Sequence, residues 1–159
     1  MRSVYGDDGT TAWVSDEQGV RFSDPAEQAD SRRLLHVDWV EVLWPLRRPA
    51  YRFTSLGTAD VRGIQALGVR VSRDGDYDVD LYVDPATWLV VKMAFRHDDL
   101  LQHRVVYDET YFSGWKTLNG VGYASHLEKF RDGKPKGISD AEVAFSDTVD
   151  DAIFQKPSP

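Results

Sequence analysis

Apolar residues recur at every second position along most of the chain after Pro49, as in β-strands that have one buried face. In residues 78–84, Val79, Leu81 and Val83 lie on one side and mostly polar residues on the other. Similar strands are predicted at residues 51–54, 66–72, 88–96, 101–112, 121–130 and 138–145. The strand at residues 88–96 presents on one face Leu89, Val91, Met93 and Phe95. Asp-Gly and Asn-Gly pairs between strands favour short turns, so we predict an antiparallel meander.

A helical period appears earlier in the chain, from residue 25 to about residue 43 or 44. Asp24 is a favourable N-cap, Pro25 suits the first helical position, and Glu27 completes a capping box. Pro45 disfavours a helical conformation at the residue before it, which sets the predicted end. The apolar positions of this helix form one stripe that we expect to face the sheet: Leu35, Trp39, Val42 and Leu43.

Two shorter elements are predicted outside these regions. Residues 10–14 and 20–22 are β-prone and flank a turn-like sequence, so they predict a hairpin before the helix. Residues 150–154 predict one short helical turn near the end of the chain. The length of 159 residues and the absence of repeats or linkers indicate a single domain.

Composition excludes several classes of function. The formal net charge is −7, and an acidic protein gains nothing from phosphate neutralisation, so we expect no nucleic-acid partner. The chain has no cysteine, which excludes disulfides, thiolate zinc sites and cysteine nucleophiles. Residues 1–8 have no apolar run after Arg2, so they do not form a signal peptide. No segment is apolar over the length needed to span a bilayer.

The four histidines do not predict a catalytic or metal site. His97 is followed by two aspartates, but adjacent strand residues point to opposite faces, so we interpret this cluster as a solvated loop. Ser125 and His126 are neighbours on a predicted strand and cannot form the hydrogen bond of a catalytic triad. We therefore assign no catalytic residue, no metal and no cofactor.

The carboxylates of residues 78–84 could suggest a calcium site. However, Asp78, Asp80 and Asp84 lie along one face of an extended strand, whereas a calcium loop curls around its ion. The simpler interpretation is a cross-strand ion pair of Asp80 with Lys92 or with a neighbouring arginine.

Three segments in the second half of the chain resemble one protein family. Residues 81–92, with Asp84, Pro85 and Thr87 at their centre, resemble the Asp-Pro-x-Thr hairpin of LolA-like proteins, the outer-membrane lipoprotein-sorting superfamily. Residues 111–127 are similar to the later Gly-hydrophobic hairpin of that family, with Ala124-Ser125 where a proline is often found. Residues 150–157 resemble its closing Asp-x-x-Phe-x-x-Pro sequence.

The resemblance implies a fold class. It is α+β and β-dominated, with a curved antiparallel sheet that forms an incomplete barrel and one long amphipathic helix on the concave side. We expect residues 1–159 to form a single LolA-like domain that lacks the N-terminal signal and the first strands.

The resemblance also implies a function. We expect a non-enzymatic protein of the periplasm or cell envelope that binds a lipid, a lipoprotein acyl chain or another apolar ligand in the concavity. The aromatic and apolar residues expected to bind it are Trp39, Leu43, Trp44, Met93 and Phe95. Two alternatives stay open: these side chains form a filled core in a structural or envelope-sensing module with a protein partner, or the chain is a hydrolase whose site the sequence does not reveal.

Overall fold

The structure is a computed structural model that describes residues 4–7, 11–100, 102–146, 148 and 150, with the backbone alone for Val4, Tyr5 and Trp44. Within these, residues 1–34 and 144–159 contribute to one compact unit, and residues 35–143 form a second. No helix in the described part of the chain has the length and apolar character to cross a membrane.

The first unit contains a three-stranded antiparallel sheet in the order β1-β2-β3. Its strands are β1 (Val4–Asp7), β2 (Ala12–Asp16) and β3 (Gly19–Phe22), so the predicted hairpin before the helix is confirmed. Gly6 pairs with Trp13 across β1 and β2. A Cβ atom at Gly6 would overlap the Trp13 ring, so glycine is required for this buried indole to pack on the sheet.

Helix α1 (Pro25–Glu41) begins where the sequence predicts and ends slightly earlier. The Asp24 carboxylate accepts hydrogen bonds from the backbone N–H groups of Ala26 (2.8 Å) and Glu27 (2.9 Å). The Glu27 carboxylate accepts one from the Asp24 N–H at 3.0 Å, which completes the capping box. After the helix, Leu43 has a left-handed φ of 63° and leads into the 3₁₀ turn η1 (Trp44–Arg47).

The second unit contains a seven-stranded antiparallel sheet whose strands follow the chain order, as the predicted meander requires. The strands are β4 (Arg52–Val61), β5 (Ile64–Ser72), β6 (Val79–Val83), β7 (Val90–Asp99), β8 (Arg104–Leu118), β9 (Val121–Arg131) and β10 (Lys134–Asp140). The sheet is curved, and its edges β4 and β10 do not pair in the described residues. The β-dominated α+β fold class with one long helix is therefore confirmed.

Some predicted boundaries are wrong. A short strand was predicted at residues 51–54, but β4 continues to Val61 with a bulge between Ser55 and Gly57. The last strand among the described residues is β10, which ends at Asp140, whereas the prediction placed it at residues 138–145. The predicted helical turn at residues 150–154 lies outside the described residues except for Asp150.

The Asp-Pro-x-Thr sequence between β6 and β7 forms a closed turn. The Asp84 carboxylate accepts hydrogen bonds from the Ala86 N–H at 2.9 Å and from the Thr87 hydroxyl at 2.8 Å. The Trp88 N–H donates to the Asp84 carbonyl at 2.8 Å, and Trp88 adopts a left-handed φ of 61°. The Asp-Pro-x-Thr sequence, which carries part of the family resemblance, thus forms the turn that reverses the chain direction.

The core of the second unit lies between the sheet and the C-terminal half of α1. It consists of Val37, Val40, Tyr51, Val71, Val79, Leu81, Val90, Met93 and Phe112. The alternation in the sequence predicts that Val91 of β7 faces the core. A register shift between Tyr82 and Val83 of β6 instead places Val90 there. Of the other positions predicted on these faces of β6 and β7, Val79, Leu81 and Met93 are buried, and Val83 and Phe95 are half-buried.

The prediction that the apolar stripe of α1 faces the sheet is wrong. The buried residues of the helix are His36, Val37 and Val40, whereas Trp39 remains 46% exposed. At 3.6 residues per turn, the buried side is roughly a third of a turn away from the predicted stripe. The compact, β-branched side chains of Val37 and Val40 are fully buried against the sheet. Close packing therefore selects a different face from the one with the largest apolar residues.

Candidate ligand-binding surfaces

The structure separates the residues that the sequence grouped into one ligand site. Met93 is only 3% exposed and lies in the core, and Phe95 packs against that core. Trp39 and Leu43 are exposed on α1 and just after it. Trp44 begins the 3₁₀ turn, and its side chain lies outside the described residues. Whether any of them binds a ligand stays a prediction.

We use the name helix strip for the four exposed apolar residues Leu35, Trp39, Val42 and Leu43. Their exposed fractions run from 42% for Leu43 to 69% for Val42. Leu35 and Trp39 are four residues apart and lie on one side of α1, next to its buried side, and Val42 and Leu43 follow the end of the helix. Such surfaces on soluble proteins mark sites that contact apolar ligands, membranes or partners.

Two carboxylates share this part of α1. Burial raises the pKa of Asp38, although the nearby Lys129 of β9 acts in the opposite direction. Burial also raises the pKa of Glu41, and the charge of Asp38 raises it further. Both side chains keep contact with solvent. They give the helix strip an acidic border on the side of β9.

A buried polar network replaces the solvated loop predicted at His97. His97, Asp98 and Asp99 lie within β7, and His97 is 7% exposed, so that interpretation is wrong. Arg131 donates to both oxygens of Asp108, at 2.7 Å and 2.8 Å. His97 Nε2 lies 3.4 Å from Asp108 Oδ2. Strands β7, β8 and β9 bring His97, Asp108 and Arg131 together in one network. The polar sequence around His97 gave no indication that this residue is buried.

The face of the sheet opposite α1 carries charges set against aromatic rings. Arg62 lies 4.0 Å above the Tyr111 ring and donates to Glu128 at 2.6 Å. Lys92 forms an ion pair with Glu109 and lies 5.3 Å from the Tyr111 ring. Sequence analysis missed this arrangement, whose only signal was the alternation of charged and aromatic residues on the polar side of the strands.

A cavity of about 640 Å³ lies at one end of the sheet, and we call it the end cavity. It is lined by Arg70, Asp76, Tyr77, Asp78, Asp80, Phe95, Arg96 and Tyr107. Arg70 donates to both oxygens of Asp80, at 2.7 Å and 2.9 Å. The predicted pairing of Asp80 with Lys92 or a neighbouring arginine is thus confirmed for Arg70.

Comparisons with known proteins identify the fold. Neither a family model nor a curated protein matches the chain. A domain assigned to outer membrane lipoprotein sorting from Vibrio parahaemolyticus matches 91% of the chain with a TM-score of 0.57 and 12% identity. A DUF1329 family protein from Desulfovibrio piger ATCC 29098 matches 96% with a TM-score of 0.52 and 15% identity. The fold is LolA-like.

The likeness concerns the fold, since both identities are low. The chain spans 63% and 66% of the two solved structures, so each of them contains further structure of its own. The resemblance seen in the sequence is confirmed at this level.

Ser125 and His126 have different hydrogen-bond partners in the structure. The Ser125 hydroxyl donates to the Gly114 carbonyl at 2.6 Å, while His126 Nδ1 lies 2.7 Å from Asp140. These two residues therefore have separate partners and do not form a nucleophile–base pair. Within the described ranges, no group of three or more histidines and carboxylates is placed to hold a metal ion.

Proposed function

We propose that this chain is a non-enzymatic protein of the periplasm or cell envelope that binds the acyl chain of a lipid or lipoprotein. The observation that carries the proposal is the helix strip, four apolar side chains left exposed on α1 and directly after it, while the other side of the helix is packed in a core. The LolA-like fold supports it, because one solved structure of this fold is assigned to lipoprotein sorting.

The proposed contact lies on the surface of α1 and not in a preformed apolar interior. Met93 is closed off by the packing of Val37 and Val40 against the sheet, so a ligand cannot reach it while α1 stays in place. Trp39 and Leu43 are accessible and offer apolar area to an acyl chain. Each methylene removed from water contributes about 0.8 kcal/mol, so a long chain is needed to offset the cost of association.

A second candidate function follows from the same packing. A filled core beneath α1 also suits a structural or envelope-sensing module whose helix strip contacts a protein partner. In that case no lipid would accompany the protein, and the strip would be covered by the partner.

Native mass spectrometry of protein purified from a cell envelope fraction tests the proposal. The expected result is a second mass peak, heavier by one phospholipid or acyl chain, that is reduced in the variant Trp39→Ala/Leu43→Ala. Trp88→Ala is the matched control, because Trp88 is an exposed tryptophan on the loop between β6 and β7. If every preparation shows only the mass of the protein without lipid, the result would favour the protein-interaction module.

A further inference from the structure

The charges around the end cavity do not all neutralise one another. Arg70 is paired with Asp80, and Arg73, just outside the cavity lining, is paired with Asp76. Asp78 and Arg96 remain: the charge of Asp78 acts on the nearby Arg52 and Arg70, but neither Asp78 nor Arg96 forms an ion pair or a side-chain hydrogen bond with another described residue. The cavity thus offers one carboxylate and one guanidinium for contact with something outside the protein.

The environment of Arg96 prepares it to bind an anion. Its guanidinium carbon lies 4.6 Å above the Tyr107 ring, so the ring holds the planar group without neutralising it. The Arg96 side chain is exposed, as is Asp78. A guanidinium in this state can donate two parallel hydrogen bonds to a phosphate group.

The charged and aromatic residues that line the end cavity limit the kinds of ligand that it can bind. Because Asp80 is paired with Arg70 and Asp76 with Arg73, it is the Asp78 carboxylate that repels a ligand carrying negative charge alone. The Arg96 guanidinium, which has no ion-pair partner among the described residues, disfavours a ligand that carries positive charge alone. Three aromatic residues, Tyr77, Phe95 and Tyr107, provide apolar walls and surfaces that attract an ammonium group.

We propose that the end cavity binds a zwitterionic group that carries a phosphate and a primary ammonium, with the phosphate on Arg96 and the ammonium on Asp78. This inference goes beyond the proposed function: the zwitterion is a phosphoethanolamine group, a chemistry shared by the free compound and by a lipid headgroup. The volume of about 640 Å³ lies within the range of small-molecule sites and leaves room for the glycerol beside the aromatic walls.

Calorimetric titration with dihexanoyl phosphatidylethanolamine, used below its micelle concentration, tests the site. Dihexanoyl phosphatidylglycerol carries the same short chains and the phosphate but lacks the ammonium. The phosphatidylethanolamine should bind at least about tenfold more tightly. Arg96→Gln should weaken both ligands by about tenfold, whereas Asp78→Asn should weaken the phosphatidylethanolamine alone and remove the preference. Lys116→Gln and Glu142→Gln, exposed charges outside the cavity, are the controls.

Equal affinities for the two lipids, or unchanged binding by both cavity variants, would overturn the inference. Thermal melts of each variant exclude unfolding as the cause of a loss. A parallel titration with a long-chain fatty acid, which has no ammonium, separates this inference from the proposed function. If the protein binds the fatty acid but has equal affinities for the two short-chain lipids, the zwitterion site is refuted and the proposed function is not. If the protein binds free phosphoethanolamine tightly but no fatty acid, the zwitterion site is supported and its ligand is not a lipid.

Discussion

His36 of α1 stacks on Tyr51, with ring centroids 5.6 Å apart and ring planes within 13° of each other. His36 is 3% exposed, and neither of its ring nitrogens has a hydrogen-bond partner among the described residues. A buried imidazole without partners strongly favours its neutral form. The helix therefore contacts the residue directly before β4 through a ring that resists protonation.

The stability of the second unit should fall in mildly acidic solution. Burial lowers the pKa of His36 below 6.5; the charge of Asp76 acts against this shift and that of Arg73 adds to it. Because the folded pKa lies below the unfolded one, the stabilisation is complete above pH 6.5 and is lost progressively as the pH falls towards the lowered value. Urea unfolding of the wild type and of His36→Phe from pH 7.5 to 5 measures this. The free energy of unfolding should fall more for the wild type than for the variant as the pH decreases. An equal fall for both proteins would mean that His36 does not cause the loss of stability.

Asp108 should stabilise the sheet until the solution is strongly acidic. Burial alone would raise the pKa of Asp108, but hydrogen bonds from Arg131 and Lys136 outweigh it and hold the pKa at about 2. The contribution is present above the ordinary value of 3.8 and is lost as the pH falls towards 2. The lowering corresponds to about 2 kcal/mol of unfolding free energy.

Replacing Asp108 tests the same network at neutral pH. Asp108→Asn should lower the free energy of unfolding by about 3 kcal/mol, because the charge of Arg131 loses its bidentate partner. Asp140→Asn is the matched control, since that carboxylate pairs with His126 but its side chain is 82% exposed. Its cost should stay below about 1 kcal/mol. Equal costs for the two variants in urea unfolding would refute the buried network.

Core and surface positions of the expected ligand site should respond differently to truncation. Met93→Ala should cost about 2–5 kcal/mol, as expected for a buried side chain whose removal leaves a cavity. Trp39→Ala should cost less than about 1.5 kcal/mol, because its ring keeps much of its solvent contact in the folded state. Chemical unfolding of both variants gives the comparison, and a larger loss for Trp39→Ala would mean that its ring is packed.

Much of the fold was predictable because it follows from local rules. The capping box of Asp24 and Glu27 sets the start of α1, and both residues make the predicted hydrogen bonds. The turn at Asn119 and Gly120 has the positive φ values, 51° and 80°, that favour this pair. Strict alternation in β6 identifies its buried face. These signals depend only on neighbours in the chain.

The candidate sites were less predictable because they depend on contacts distant in sequence. The side of α1 that faces the sheet is chosen by the fit of Val37 and Val40, which the apolar stripe does not reveal. The end cavity joins residues from four strands, so the unpaired state of Asp78 and Arg96 appears only in three dimensions. His97 was assigned to a loop because its neighbours are polar, although it lies buried in a strand.

The most direct test of the central claim is a fluorescence and calorimetry titration with fatty acids of increasing chain length. The account predicts saturable binding that tightens with chain length and depends weakly on salt, because apolar contact drives it. Trp39→Ala/Leu43→Ala should weaken binding by about tenfold or more, while Trp88→Ala should leave the affinity unchanged. Absence of saturation at every chain length, or equal affinities for the two variants, would contradict the claim that the helix strip binds an acyl chain.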